Sequence, residues 1–325
     1  MPLRPLPASL EPWEGKRVLV RVDWNIPLGV PATEGHLKIT RTIPLLHRLQ
    51  NAGAKVVAIT HLGQPVKGDK ALSTERLLPA LRAQGLHPHW LGGDIAKASE
   101  RQTLLETVAH ARPGSLFLLE NARFFPGEEK NGPAFAKALA AFGDVFVNDA
   151  FAACHRPHAS VVGVPKLLPA YAGPALLEEV RRLQAFRGKS AAPALAFFGG
   201  KKLSSKLPVL SALAKNVQAI YLGGAMATAC EAARGRPVGA SFVEAGQAAA
   251  ALRLLRTKHI HLPPDYLVAD AVSTAAATRI CHIEDIRPRE IIVDVGPETL
   301  AGWAAAIRTA RTILWNGPVG ITDPD

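Results

Sequence analysis

Six cationic side chains stand out in the first half of the chain: Arg21, Arg41, His61, Arg123, Arg156 and His158. Arginine presents a planar fork that matches carboxylate and phosphate oxygens, so several Arg and His residues on one rim would make a pocket for a small polyanion. Asp23 and Asn25 could hold the hydroxyls of such a ligand, although Asn25 equally suits a turn before Pro27. His155 and His158 have metal-ligand spacing, but no third ligand follows at a convincing distance, which favours a phosphate-facing or structural role over zinc. The second half offers Gly199-Gly-Lys-Lys-Leu-Ser-Ser-Lys206, directly after the apolar run that ends at Phe198. Gly-rich backbone leading into a helix binds phosphate, and Lys202 and Lys206, four apart, would share one face of that helix. The G-x-x-x-x-G-K-[ST] pattern is absent, so this is not a P-loop. Gly223-Gly224 by itself reads as a turn.

These residues need a frame. β-Rich apolar runs at 17–24, 55–60, 115–120 and 144–149 alternate with helical patterns at 40–51, 73–84 and 133–142. The second half repeats the style, with strands expected at 193–198, 219–222, 266–269, 291–295 and 312–315 and helices at 205–215, 244–258 and 298–309. Strand–helix alternation predicts a parallel sheet with helices on both faces. The amphipathic stretch 175–186, with Pro169, Gly173 and Pro174 before it and Gly188 after, reads as a connector. The chain is therefore expected to be α/β, with two Rossmann-like domains (1–170 and 189–325) joined by a hinge helix in 171–188. In open parallel sheets ligands bind beyond the carboxyl ends of the strands, and the candidate residues fall just after the expected strands.

The 325 residues, 48% apolar and 20% charged, exclude wholesale disorder, and the scattered Gly and Pro exclude a collagen-like fibre. A net charge of +11 favours an anionic partner. With 6% aromatic residues, no long Lys/Arg tract and no stacking motif, nucleic acid is not expected to be that partner. Cys154, Cys230 and Cys281 fit neither a disulfide framework nor a CxxC pair, which suggests a reducing compartment. No signal-peptide core and no apolar run of membrane-spanning length is present, so a cytoplasmic protein without a membrane partner is expected.

Taken together, the motifs resemble those of phosphoglycerate kinases. Arg21-Val-Asp-Trp-Asn-Ile-Pro27 is similar to R-x-D-x-N-x-P, His61-Leu-Gly-Gln-Pro65 to H-L-G-R-P, and Leu119-Glu-Asn-Ala-Arg-Phe124 to L-E-N-x-R-F. Val147-Asn-Asp-Ala-Phe151 with Cys154-His-Arg-Pro-His-Ala-Ser160 resembles V-N-D-A-F and A-H-R-x-H-A-S, and 199–206 resembles G-G-x-K-V-S-x-K. Gly223-Gly-Ala-Met226, Asp294-Val-Gly-Pro297 and Trp315-Asn-Gly-Pro-Val-Gly320 follow in the family's order.

The resemblance implies reversible phosphoryl transfer between 1,3-bisphosphoglycerate and ADP, giving 3-phosphoglycerate and ATP, with Mg2+, by a hinge-bending glycolytic enzyme expected to be a monomer. It implies that the first domain binds phosphoglycerate and the second the nucleotide. Asp23 and Asn25 would hold the glycerate, with His61, Arg123 and Arg156 at its phosphate end and Gln64 beside them. Arg41 would approach the transferring phosphoryl and Lys202 stabilise it. Lys206, Gly200, Gly223, Gly224, Asn316, Pro318 and Asp323 would bind the nucleotide. No metal-holding residue is identified. Gln64 stands in place of the Arg of H-L-G-R-P, Ser205 where an acidic residue is frequent, and Asp323 where the family has a Glu. The family pattern continues past Asp325 with a Gly-rich Asp loop, so a C-terminally shortened chain with weak ADP binding and reduced turnover is the expectation. The alternative on the same residues is a non-catalytic phosphoglycerate- or nucleotide-binding relative.

Overall fold

The computed structural model describes residues 3–28, 37–65, 69–187 and 191–322. Cα proximity divides the chain into two compact units, Met1–Arg181 and Arg182–Asp325, with the division inside the helix Pro174–Arg187.

The first unit is built on β1 (Arg17–Arg21), β2 (Lys55–Ile59), β3 (His89–Leu91), β4 (Leu116–Leu119), β5 (Val145–Asn148) and β6 (Ala170–Ala172). All six strands are parallel, in the order β3-β4-β2-β1-β5-β6. Successive side chains in a strand point to opposite faces. Val18, Val20, Val56 and Ala58 pack on one side with Leu45, Leu46 and Leu49 of the helix Ile43–Asn51. Leu19, Val57, Ile59 and Phe117 pack on the other with Phe135 and Leu139 of the helix Pro133–Ala140. Because both faces are covered, the strands read as unbroken apolar runs.

The register brings the candidate site together. Arg21 lies opposite both Ile59 and Asn148, so the segments after β1, β2 and β5 leave the sheet at one edge.

The second unit has β7 (Ala194–Phe198), β8 (Ala219–Leu222), β9 (Ile260–His261), β10 (Asp265–Ala269), β11 (Thr278–His282), β12 (Ile291–Val295) and β13 (Thr312–Asn316). Strands β13-β7-β8-β9 form a parallel sheet. β11-β10-β12 form a separate antiparallel sheet, which the expectation of one parallel sheet per domain did not include. β11 escapes a periodicity reading because Thr278, Ile280 and His282 are exposed and alternate with less exposed Arg279 and Cys281, so its apolar signal is sparse.

Helix starts also differ from expectation. The expected helix 40–51 is two pieces, Leu37–Thr40 and Ile43–Asn51, and Pro44 sits in the first turn of the second, where its missing N–H is tolerated. The helix expected from 205 begins at Leu207 with Pro208 in its first turn. Lys202 therefore lies on the loop ahead of that helix and shares no helical face with Lys206. Gly223-Gly224 is more than a turn: Gly224 (φ +56°) opens the helix Gly224–Ala233.

Candidate functional site

Beyond the carboxyl edge of the six-stranded sheet lies a cavity of about 290 Å³, lined by Arg21, Lys38, His61, Arg123, His155, Arg156 and His158, with Asp23 as its one acidic wall residue. Asn25 and Gln64 also line it. Of the residues expected to bind phosphoglycerate, all but Arg41 meet here. Arg41 lines an adjoining cavity of about 310 Å³, and both cavities include Asp23 and Lys38.

The cationic end is held by buried hydrogen bonds. Arg21 is 1% exposed and donates from Nε to Ser160 Oγ (3.0 Å), from Nη1 to the Val22 carbonyl and from Nη2 to His61 Nδ1 (3.0 Å). Ser160 in turn donates through its N–H (2.9 Å) and its hydroxyl to Glu128, which has no exposed surface. Guanidinium only donates, so Nδ1 of His61 accepts and its proton resides on Nε2. Burial, reinforced by Arg21 and Arg123, pushes the His61 imidazole down to about 2. His61 thus enters the cavity as a neutral N–H donor. Burial also pushes His158 below its ordinary range, against the opposing pull of Glu128.

Arg123 donates from Nη1 to the Gly63 carbonyl, while its buried Nε has no hydrogen-bond partner and lies 3.7 Å from Glu129 Oε1, beyond hydrogen-bond reach. Buried polar groups are normally satisfied, so this guanidinium N–H stays open to a further acceptor. Asn121, fully buried and not among the expected site residues, ties this loop to the next. Its Nδ2 donates to the Leu62 and Leu72 carbonyls and its Oδ1 accepts from Leu62 N and Arg123 N.

Asp23 and Asn25 are positioned by the residue between them. Trp24 has no exposed surface and is pinned by Thr60 Oγ1 at its N–H and Thr42 Oγ1 at its indole N–H, both 3.0 Å. Asn25 spends its side-chain oxygen on Gly63 N (2.8 Å), so the turn reading accounts for part of its role. Lys38 was not singled out in the sequence. Its Nζ lies 3.1 Å from Asp23 Oδ2 and donates to the Asn25 carbonyl at 3.0 Å. Arg41 faces elsewhere: Nη1 donates to Glu179 Oε1 (2.6 Å), and Nη2 lies 3.7 Å from Glu178 Oε2. His155 and His158 do not converge: His155 meets the Ala152 carbonyl and Arg156, and His158 meets Glu128.

The adjoining cavity holds Asp149, whose Oδ1 accepts from Ala175 N and Leu176 N at the start of the helix Pro174–Arg187. Burial pushes its carboxyl up to about 6, against those helix N–H bonds and Arg41.

In the second unit a cavity of about 550 Å³ is lined by Gly200, Lys201, Gly224, Phe242, Ile292 and Pro318, among others. It is mostly apolar, fit for a flat ring. Of the residues expected to bind nucleotide, Gly200, Gly224 and Pro318 line it. Gly223 packs beneath Val319, and Asn316 ends β13 beside it with a buried, unpartnered Oδ1. Lys202 is exposed on the loop after β7, and Lys206 flanks the helix Leu207–Leu213; neither lines the cavity. Asp323 lies outside the described residues. Lys201, whose ammonium sits 4.9 Å from the Phe242 ring centre, and Phe242 itself were missed. Lys201 is adjacent to a recognised motif residue, but nothing local marks Phe242. The loops after β7 and β13 touch so closely that a Cβ at Gly199 would collide with the Pro318 carbonyl.

A sequence model of the family described as phosphoglycerate kinase matches residues 10–325. The chain is 38% identical over 314 residues to the phosphoglycerate kinase of Rhizorhabdus wittichii, covering 94% of this chain and 78% of the relative. It is 39% identical over 313 residues to that of Agrobacterium fabrum, covering 94% and 77%. Among solved structures it is similar to phosphoglycerate kinase from Coxiella burnetii (TM-score 0.75, 31% identity, 98% of this chain and 81% of that one). The Pyrococcus horikoshii enzyme shares the fold (TM-score 0.80, 24% identity, 95% and 80%).

Proposed function

The chain belongs to the phosphoglycerate kinase family, and we propose that it catalyses reversible phosphoryl transfer between 1,3-bisphosphoglycerate and ADP. The observation that carries this reading is the cavity beyond the six-stranded sheet. It gathers Arg21, His61, Arg123 and Arg156, with Arg123 Nε lacking a hydrogen-bond partner, and carries Asp23 and Asn25 on its wall, where they could meet a hydroxyl. A molecule with phosphate at one end and a hydroxyl-bearing carbon at the other matches that polarity.

In the proposed reaction a β-phosphate oxygen of ADP attacks the acyl phosphorus. The new P–O bond forms as the bond to the C1 oxygen breaks, and the electron pair leaves on the 3-phosphoglycerate carboxylate. The leaving group is a stabilised carboxylate, so no general acid is needed; alignment and neutralisation of spreading charge suffice. The phosphate end is held by His61 Nε2–H, Arg123 and Arg156, with Gln64 beside them. The base of ADP or ATP enters the apolar cavity of the second unit, with Gly200, Gly223, Gly224, Asn316 and Pro318 around it and Lys206 toward the phosphates. Of the two cations expected at the moving phosphoryl, Lys202 stands on the loop after β7 and Arg41 in the second cavity of the first unit. Hinge motion that brings the two ligands together belongs to the same proposal.

When bound with nucleotide, Mg2+ supplies charge neutralisation between phosphates. The described residues do not build a cage for it: no group of three or more His, Cys, Asp or Glu side chains gathers among them, and no carboxylate lines the nucleotide cavity. Among the described residues no helix is long and apolar enough to cross a membrane. A cytoplasmic monomer acting on these metabolites, with neither nucleic acid nor membrane as partner, completes the proposal.

The test is a coupled assay for ADP-dependent phosphoryl transfer from 1,3-bisphosphoglycerate. ATP formation at a rate dependent on both substrates supports the reading. Binding of 3-phosphoglycerate without any transfer would leave the non-catalytic relative in its place.

A further inference from the structure

We infer that the apolar cavity of the second unit binds a 6-oxopurine nucleoside diphosphate more tightly than ADP, and that Lys201 is the residue that selects it. This rests on the functional reading above, which puts the base of the nucleotide in that cavity, and it narrows the class of nucleotide. ADP remains a substrate, of lower affinity.

Among the described residues Lys201 is the one charged side chain that lines this cavity. Its ammonium sits 4.9 Å from the centre of the Phe242 ring, and no hydrogen bond or ion pair to a described residue engages it. A cation over a ring face is held by the quadrupole of the ring. That attraction leaves the three N–H donors of the ammonium without an acceptor. Phe242 thus stations a free donor at the aromatic wall, and a planar base stacks on such a wall. Lys206, toward the proposed phosphate positions, does not line the cavity, so the charge that faces the base is that of Lys201.

Other polar groups of the wall bond within the protein. Thr228 donates its hydroxyl to the Gly224 carbonyl (3.2 Å), Ser241 Oγ accepts from Ile292 N (2.8 Å), and the Val293 carbonyl accepts from Ile321 N (2.8 Å). No Asp, Glu, Asn or Gln lines the cavity, so no side-chain carbonyl or carboxylate is there to accept from an exocyclic amine. Adenine presents such an amine at carbon 6, beside the N7 acceptor. Guanine and hypoxanthine carry a carbonyl at carbon 6, so O6 and N7 both accept. An ammonium only donates. It pairs with the 6-oxopurine edge, whereas at carbon 6 of adenine donor faces donor.

The experiment measures calorimetric binding of ADP and inosine diphosphate to the full chain at one Mg2+ concentration. The two nucleotides share ribose and phosphates and differ only at the six-position edge of the base. The unsubstituted chain should bind inosine diphosphate about 5- to 20-fold more tightly than ADP. Lys201→Met keeps the length of the side chain without its charge. It should abolish the preference by weakening inosine diphosphate, while ADP changes by less than about threefold. Lys201→Arg should retain most of the preference, because a guanidinium also donates to O6 and N7. Thermal unfolding of each variant excludes misfolding, and the exposed Lys201 should tolerate both changes. Equal affinities in the unsubstituted chain, a preference for ADP, or a preference that survives in Lys201→Met would each overturn the assignment. An equal loss of both nucleotides in Lys201→Met would also overturn it, by placing the ammonium on the phosphates. If the unsubstituted chain binds both nucleotides and only this ranking fails, the functional reading stands. If it binds neither, the functional reading falls, and the assignment of Lys201 with it.

Discussion

Arg21 donates from Nη2 to Nδ1 of His61 across 3.0 Å, with both side chains nearly sealed from solvent. This single bond sets which imidazole nitrogen faces the cavity and keeps the ring uncharged next to several cations. A cationic His61 would face Arg21 with like charge and without an acceptor. The pocket therefore offers a ligand arginine charge and a neutral histidine donor side by side.

The His61 pair predicts a pH dependence. The folded-state value lies near 2, far below the ordinary value of about 6.5. The unfolded chain binds the extra proton first, so this contribution to stability is present above about pH 6.5 and is lost progressively as pH falls toward 2, by at most about 1.4 kcal/mol per pH unit. Denaturant midpoints measured from pH 7 to 5 should fall, and His61→Gln, which keeps an acceptor for Arg21, should flatten that fall. An unchanged slope in the variant would show that His61 is not the titrating group.

Asp149 predicts the opposite sign. Its folded value, about 6, lies above the ordinary carboxylate value. The buried carboxyl favours its protonated form, so its contribution is full below about pH 4 and is lost as pH rises through 6. Asp149→Asn keeps an oxygen for the helix N–H groups and should remove this loss, leaving the variant relatively more stable at pH 7 than at pH 4.5. A parallel pair of stability curves for the two proteins would contradict it.

Asn121 joins the His61 loop to the Arg123 loop through four hydrogen bonds. Asn121→Leu, similar in size, strands those backbone groups without water. Each buried unpaired group costs about 1–3 kcal/mol, so a large loss in chemical stability is expected, together with weaker 3-phosphoglycerate binding. Retained affinity at full folding would show that the loops hold their places without it.

Gln64 lines the cationic cavity and is exposed. Gln64→Arg should add a charge-assisted bond to the ligand phosphate and tighten 3-phosphoglycerate by about tenfold. Calorimetry is the measurement; no change, or weakening, removes Gln64 from the site.

Gly199 permits the close approach of the loops after β7 and β13. Gly199→Ala should push Pro318 aside, lower stability by about 1–3 kcal/mol and weaken ADP binding, while 3-phosphoglycerate binding is retained. Thermal scans with and without each ligand separate the two effects; a variant as stable as the parent would mean that the loops yield freely.

The sequence by itself determined the strand–helix alternation, because unbroken apolar runs and amphipathic spacing are properties of neighbours along the chain. It also placed His61 and Arg123 just after expected strands, and parallel pairing with Arg21 opposite Ile59 and Asn148 sends the loops after β1, β2 and β5 to one edge. What the tertiary structure decided is where side chains point once distant segments meet. Lys202 and Lys206 have helical spacing, yet the helix begins at Leu207, after Ser204 has bonded to Glu244 forty residues away. Phe242 carries no local mark, yet it lines the apolar cavity of the second unit, with the Lys201 ammonium over its ring. β11 pairs antiparallel with β10 despite its exposed, mostly polar sequence, since backbone hydrogen bonds to a neighbouring strand compensate for a weak apolar pattern. Lys38 and Arg41 are three residues apart and both cationic, so charge and spacing alone cannot rank them. They separate because Asp23 lies beside one and Glu179 beside the other, and those carboxylates arrive from segments 15 and 138 residues away in the chain.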